Sequence, residues 1–535
     1  MAAVPSPQAT PASNDSDRAS NTLLKSLLSN ELIFAVVGPV GSGTSWVTKA
    51  LEQRVLQSIP KSQVNILKAS DAIENWASTH SQAIDNTTKL SRAQSLQDAG
   101  DKIRAQDAAG VAVNLISEIK KARSANSSET SNTDQKDFIR VYILDSLKHP
   151  AEVALLRSVY QEAFCLVGVV CESQRGRNRL REGKCSSSGG DEIDKFIARD
   201  QDSGLTYGQK VSDTFHLADF FVDNTPNRFL DDENRRENPA WDVNDQLGRL
   251  LDILTHKKVI RPLPSETGMF HAYGAQMTSA CLSRQVGAAL MDKSGNLVST
   301  GKNEVPSAGG GVYGGSFTPH HVNYVDHRCA YTNEYCSSNL HQTQIIDELK
   351  KAVPELSGIA TEDLKKQLKS TGIGRLLEFS RAVHAEMDAL LTAARKGSSP
   401  VGGRLFVTTF PCHYCARHIV SAGVDEVQYI EPYPKSLAYD LHGDAIAKSK
   451  TDWLPPSELI AKSNDHEKDI KVLFRAFTGV APRLYKLAFI KNRPLKDSAG
   501  KMKFGEPEWA SGLLHESYKD IEDRLIANNI GENHE

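Results

Sequence analysis

Two α/β domains in series are what this sequence predicts, and three observations predict them. The chain is 535 residues long, more than one hydrophobic core usually serves. From Glu31 to Asp223, short apolar runs rich in β-branched residues alternate with longer amphipathic stretches, the pattern of a parallel sheet covered by helices. Beyond Pro262 and Pro264 a second alternation begins, and it carries a His-x-Glu and a Cys-x-x-Cys on either side of one helix and one strand. The expected boundaries are a disordered tail over 1–20, a first domain over 21–257, a second over 266–495 and a loosely held polar tail over 496–535.

Composition excludes several classes. With 39% hydrophobic and 24% charged residues the chain is not a disordered polymer. A formal net charge of −3 argues against a broad nucleic-acid footprint. Eight cysteines in this length do not make a disulfide scaffold. No apolar run reaches the roughly 18 residues a membrane span needs. Residues 1–20, rich in Ala, Pro, Ser, Asn and Asp, lack the basic start and apolar run of a secretory signal, so a cytoplasmic protein is expected.

In the first domain Glu31–Val37 reads as a buried strand, Gly38–Ser45 as a glycine loop and 46–57 as an amphipathic helix. That order is the setting of a phosphate-binding P-loop. Gly38, Gly41, Ser42, Gly43, Thr44 and Ser45 would then cradle a nucleotide phosphate on backbone N–H groups. The pattern lacks its lysine, because Thr44 stands there, although Ser45 keeps the hydroxyl. Losing that charge removes a main stabiliser of a transferring phosphoryl group, so nucleotide binding without catalysis is expected. An active kinase and a bare tight turn stay open. Gln63–Lys68, Arg140–Asp145, Phe164–Val170 and Asp219–Asp223 read as further strands, and 103–123 as one long helix. Asp145 ends its strand where P-loop proteins place a magnesium-linked carboxylate. Arg175, Arg177, Arg179 and Arg181 either close over phosphates or form a solvated face. The first domain is thus read as a three-layer, P-loop nucleotide-kinase-like fold.

In the second domain 269–282 reads as a helix, and 285–291 with 297–301 as a hairpin. His384-Ala-Glu386 then opens a helix, 405–409 is a strand, and Pro411-Cys412-His-Tyr-Cys415 opens another helix. This is the H-x-E…P-C-x-x-C pattern of zinc-dependent nucleobase deaminases. His384, Cys412 and Cys415 would hold zinc and leave the fourth tetrahedral position for water. The ion lowers the pKa of that water, so hydroxide is available at neutral pH to attack C4 of cytosine. Glu386 is then the catalytic proton carrier, taking a proton from water and passing it to N3 and the leaving amine. Thiolates in a helix's first turn suit its unpaired N–H groups and dipole. A structural zinc knuckle, with Glu386 merely solvated, is the alternative.

The stretches Ser283-Arg-Gln-Val-Gly-Ala-Ala-Leu290, Gly301-Lys-Asn303, His384–Arg395 and Pro411–Ala416 resemble the deoxycytidylate deaminases, with a cytidine-deaminase-like α/β/α fold. The chain from about Leu32 to Arg493, including 143–153, 303–306 and 431–437, resembles more closely the bacterial anti-phage dCTP deaminases, which join a P-loop kinase-like domain to such a deaminase. The resemblance implies that dCTP, dCMP or both are deaminated as free nucleotides, and that depleting dCTP starves phage DNA synthesis. It implies that Asn303 bonds the deoxyribose, that Arg395 meets a phosphate, with Lys435 a further phosphate contact, and that like subunits assemble. The first domain would bind a regulatory nucleotide or RNA.

Between 306 and 379 lies an insertion whose glycines at 309–315 could form a mobile lid over the pocket. His320, His321, His327, Cys329 and Cys336 cluster there, and Cys281, His327, Cys329 and Cys336 are candidates for a second, structural zinc, though the spacing fits no standard finger. Two other functions remain open at this point: cytosine deamination in a polynucleotide, and nucleotide sensing without catalysis. The acidic balance and the lack of an aromatic–basic ladder count against the first. Glu386, which a pure binder does not need, counts against the second.

Overall fold

The run Glu31–Val37 (β1) is buried at every position because strands lie on both sides of it. The computed structural model describes residues 29–127, 139–186, 189–231, 236–314, 325–332, 335–368, 371, 380–433, 436–462, 469–491, 495–502 and 515–531. Two units emerge. The first comprises 1–218, 224–259 and 493–535, the second 219–223 and 260–492.

In the first unit β1 leads through the glycine loop into α1 (Thr44–Ser58). β2 (Ser62–Lys68), β3 (Ile139–Asp145) and β4 (Phe164–Val170) follow, all parallel, in the order β4-β1-β3-β2. β1 therefore sits where successive connections leave in opposite directions, and open parallel sheets form ligand crevices at the carboxyl ends of such strands. The single helix expected over 103–123 is two, α2 (Lys89–Gln106) and α3 (Gly110–Ser127). Asp107 breaks them: its backbone is extended and its carboxylate accepts the Ala109 N–H at 2.9 Å. After β3 comes α4 (Pro150–Tyr160), and after β4 come α5 (Ser173–Glu182) and α6 (Gly190–Gln201).

The loose tail expected from 496 onward is corrected by a helix, His515–Gly531, in the first unit. Tyr518 and Glu522 lie one turn apart on its buried face. Arg123 of α3 donates to Glu31 at 2.8 Å and to Glu522 at 2.7 Å. The Tyr160 and Tyr518 hydroxyls donate to Glu522 and Glu31. Burial opposes the Arg123 charge, yet bonds to Glu522 and Glu31 hold its pKa above the usual range. The segment is polar because its anchor is ionic, and polarity hid the contact.

The second unit opens with α7 (Pro264–Gln276). Pro264 occupies the first turn, where its missing N–H costs nothing, and Glu266 accepts the Leu263 N–H at 2.7 Å. The sheet consists of β5 (Gly287–Met291), β6 (Leu297–Lys302), β7 (Arg404–Thr409), β8 (Glu426–Glu431), β9 (Ile446–Ala447) and β10 (Val472–Ala476), ordered β9-β10-β8-β7-β5-β6. The β5–β6 hairpin is antiparallel and β5 meets β7 antiparallel, whereas β7, β8, β10 and β9 run parallel. The short strand Phe220–Asp223 pairs antiparallel with Gly479–Val480 within this unit.

Two glycines let helices lie directly on this sheet. A Cβ on Gly287 would stand 2.0 Å from the Ala272 carbonyl oxygen of α7. A Cβ on Gly301 would stand 2.2 Å from the Ala385 oxygen and 2.3 Å from the Ala389 nitrogen of α8 (Ala385–Arg395). α8 carries the site residues, so Gly301 sets their height above the sheet.

Candidate active site

His384 is the N-cap of α8, and Cys412 is the N-cap of α9 (His413–Ser421), which follows β7. Parallel pairing of β7 with β8 and the β5 contact fix where β7 ends, and hence where Cys412 emerges. Phe410 packs edge-on against Tyr429 with ring centres 4.8 Å apart, which anchors the turn between strand and helix. The Cys415 N–H donates to the Cys412 sulfur at 3.5 Å, so the second cysteine closes the cap of the first.

The two helix starts converge. His384 Nδ1 lies 3.4 Å from both the Cys412 and Cys415 Sγ atoms, and the three donor atoms fall within 4.8 Å of one another. In a tetrahedral zinc site with ordinary Zn–N and Zn–S bonds, neighbouring nitrogen and sulfur ligands stand about 3.6 Å apart. The donor set therefore fits zinc in both chemistry and spacing. A hydrogen bond from the Cys415 thiol, against the cost of burial and with His384 beside it, holds the Cys412 pKa low. Among the described residues no other group of three metal-ligating side chains forms.

Glu386 is 4% exposed, in the first turn of α8. Desolvation pushes its carboxyl up to about 7, against the opposing pull of His384. It lines a cavity of about 420 Å³ together with His384, Cys412, Asn303, Phe410 and Tyr433. A buried carboxyl facing a cavity beside a metal triangle can accept and return a proton next to a bound ligand.

The structure treats the other expected contacts differently. Asn303 lines the cavity, but its Oδ1 accepts the Val286 N–H at 2.7 Å and its Nδ2 donates to the Arg284 carbonyl at 2.7 Å. It thus ties the loop before β5 to the end of β6 and keeps one amide hydrogen for a ligand. Arg395 is not among the cavity residues. It bonds the Thr392 hydroxyl at 2.7 Å and lies under the Gly310–Gly311 turn. That turn is hydrogen-bonded between Ser307 and Gly311 and is likewise off the cavity, so the lid expected at 309–315 is corrected for its described part. The insertion lines the cavity instead through Cys329 and Cys336–Ser338, and Ser380–Ala382, just after it, join the same wall. Lys435, His320 and His321 lie outside the described residues.

The second zinc is not brought together. Cys336 faces the Ser283 hydroxyl at 3.4 Å, Cys329 faces Ser337, and the His327 ring packs edge-on against Tyr313. Cys281, Cys329 and Cys336 share the cavity wall without forming a ligand set. Sequence reading missed Arg284 and Arg381 on the same wall, whereas Tyr433, in a segment expected at the pocket rim, does line it. Arg284 sits inside a motif that had been read only for its glycine and strand residues. Arg381 lies in an irregular segment that carries no periodic signal.

In the first unit Ser45 donates to Asp145 at 2.7 Å, which joins the loop's hydroxyl to the end of β3. Gly41 and Gly43 take φ of 86° and 84°, conformations that other residues resist. Arg179 donates to the Ser42 carbonyl and to the carbonyls of Thr225 and Pro226, and Arg177 pairs with Asp194. Arg179 thus braces the loop, while Arg177 ties α5 to α6.

A ligand-ready triangle at two helix starts, with a buried carboxyl beside it, belongs to the hydrolytic deaminases of nucleobases. The "Cytidine and deoxycytidylate deaminase zinc-binding region" family matches residues 265–431. The deoxycytidylate deaminase of Enterobacteria phage T4 is 32% identical over 175 residues, 31% of this chain and 76% of the phage protein. That of phage T2 is 34% identical over 170 residues, 31% and 78% of the two chains. The crystal structure of a dCMP deaminase from cyanophage S-TIM5 with dCMP and dUMP aligns at 22% identity and a TM-score of 0.20, over 34% of this chain and 91% of that one. The chain belongs to the deoxycytidylate deaminase family and is a hydrolase of cytidine nucleotides. No described helix is long and apolar enough to cross a membrane.

Proposed function

We propose that this enzyme is zinc-dependent and converts free deoxycytidine nucleotides, dCMP and dCTP, to dUMP and dUTP with release of ammonia. The observation that carries the reading is Glu386, a 4%-exposed carboxyl on the cavity wall that also presents His384 and Cys412. His384, Cys412 and Cys415 would hold the zinc, which supplies an acidified water when bound. Glu386 takes one proton from the attacking water and delivers it to the ring nitrogen, then takes the second from the hydroxyl added at C4 and passes it to the departing amine. Phe410 and Tyr433 offer aromatic walls to the base, and Asn303 offers its remaining amide hydrogen to the sugar. Arg284 and Arg381, on the same wall, offer contacts for phosphate. The relatives are named for dCMP. The dCTP activity, and with it removal of dCTP from a virus replicating in the cytoplasm, rests on the resemblance of the whole chain to the anti-phage dCTP deaminases. In the same reading the first unit, with its glycine loop at the carboxyl end of β1 and Ser45 bonded to Asp145, binds a nucleotide and regulates the second.

The test is a side-by-side assay of dCMP, dCTP and a cytosine-containing oligonucleotide, read by mass for uracil products. Both mononucleotides are expected to react and the oligonucleotide to stay intact. An edited oligonucleotide with inert mononucleotides would overturn the assignment.

A further inference from the structure

The glycine loop lacks a lysine of its own, yet an ammonium reaches it from another element. Lys148, three residues past Asp145 in the connection from β3 to α4, places its Nζ 3.4 Å from the Gly38 carbonyl, at the start of the loop. The same ammonium donates to Asp200 Oδ1 at 2.9 Å. Asp200, near the end of α6 and 2% exposed, receives a second bond on Oδ2, from the Val40 N–H within the loop, at 2.8 Å. One carboxylate therefore takes a loop N–H and a lysine ammonium together. That pair of donors is what a P-loop offers to a phosphate.

Two further features point to a ligand there. The Ser42 hydroxyl, inside the loop and 1% exposed, has no hydrogen-bond partner among the described residues, and Val40 and Ser42 border a cavity of about 230 Å³ on the flank of the loop. Lys184 also stands within electrostatic reach of Lys148, Asp200 and Asp145. Ser45 and Asp145 are already joined, as a hydroxyl and carboxylate that share a magnesium ion would be.

We propose that Lys148 is the phosphate-binding lysine of this loop, and that Asp200 is an internal anion which a magnesium-bound nucleoside polyphosphate must displace to enter. The inference rests on the reading of Gly38–Ser45 as a nucleotide site. On entry of the ligand, Lys148 and the Val40 N–H exchange a carboxylate oxygen for a phosphate oxygen, and the last turn of α6 is released. The loop is thus closed by its own counter-charge until a competing anion is abundant.

The experiment is calorimetric titration of the full-length chain with magnesium ATP and with magnesium tripolyphosphate, with melting curves to show that each variant is folded. Gly43→Val serves as the loop control, because a Cβ there would stand 2.5 Å from Asn224 Nδ2 at a φ of +84°. A signal lost in Gly43→Val belongs to the loop. Removing one charge-assisted contact corresponds to about 10- to 100-fold in affinity. Lys148→Ala is expected to weaken binding by that factor and Lys148→Arg to restore part of it. Asp200→Asn is expected to tighten binding by about tenfold or more. In the unaltered chain, hydrogen exchange over 197–201 is expected to rise at saturating ligand, a readout that needs no variant. Equal binding by Lys148→Ala and the unaltered chain removes Lys148 from the site. Unchanged or weaker binding by Asp200→Asn, or unchanged exchange over 197–201, overturns the displacement while leaving the loop a nucleotide site. Absence of loop-dependent binding in both the unaltered chain and Asp200→Asn overturns the nucleotide reading itself, and the inference with it.

Discussion

Glu386 and His384 are two residues apart, yet they have different work, and replacing Glu386 should separate it. The ligand triangle is complete without the carboxyl, since His384, Cys412 and Cys415 satisfy the spacing alone. Glu386→Ala is therefore expected to keep a full complement of zinc by metal analysis while turnover falls by about 100-fold or more, the range for a lost general acid–base group. Lost metal would place Glu386 among the ligands, and retained turnover would give the proton transfer to another group. The patterning of His384, Glu386, Cys412 and Cys415 was fully legible in the sequence because local spacing at two helix starts determines it. Arg395 was not legible. It bonds Thr392 and lies against the Gly310 turn, off the lining of the cavity, and neither contact is a property of the motif.

At the scale of elements, the site depends on how closely α8 lies on β6. Gly301→Ala would force the new methyl against helix backbone at 2.2 Å, and backbone cannot swing aside as a side chain can. The helix must lift by something on the order of 1 Å, and a displacement of that size can cost about 100-fold in rate. Gly274→Ala is the matched control, since a Cβ there meets nothing within 4 Å and it should leave activity unchanged. A fully active Gly301→Ala would show that the helix is not positioned by this contact. The helix His515–Gly531 depends on a different force. Glu522→Ala removes one of the two carboxylates that flank buried Arg123, and breaking such a pair typically costs about 3–5 kcal/mol. A lowered unfolding midpoint in urea is expected, with the deaminase reaction itself intact in the folded fraction. An unchanged midpoint would mean that this helix contributes nothing to the first unit.

For the molecule as a whole, the substrate assignment follows from charge and cavity size together. A net charge of −3 provides no long-range attraction for a polyanion. The cavity of about 420 Å³ matches a single nucleotide, and its two arginines match a phosphate and not the backbone of a strand. In the proposed function, Arg284 and Arg381 are the groups that would meet the substrate's phosphates, and the comparison of dCMP with dCTP reads their preference. A loop that binds without transferring phosphate needs no lysine in the usual place, provided that Lys148 supplies the charge.

The sequence by itself determined the chemistry, the alternation of strands and helices, and the glycine loop with its missing lysine, because each is written in spacing over a few residues. Tertiary structure decided everything that depends on residues far apart in the chain. It placed Arg284 and Arg381 on the cavity wall and turned Asn303 largely to holding loops. It kept Cys281, His327, Cys329 and Cys336 from forming a ligand set. It also brought Asp200 against Val40 and Lys148, 160 and 52 residues away. The reason is physical: a helix start organises its own ligands through local backbone geometry, whereas an ion pair or a cavity wall exists only where separate elements meet.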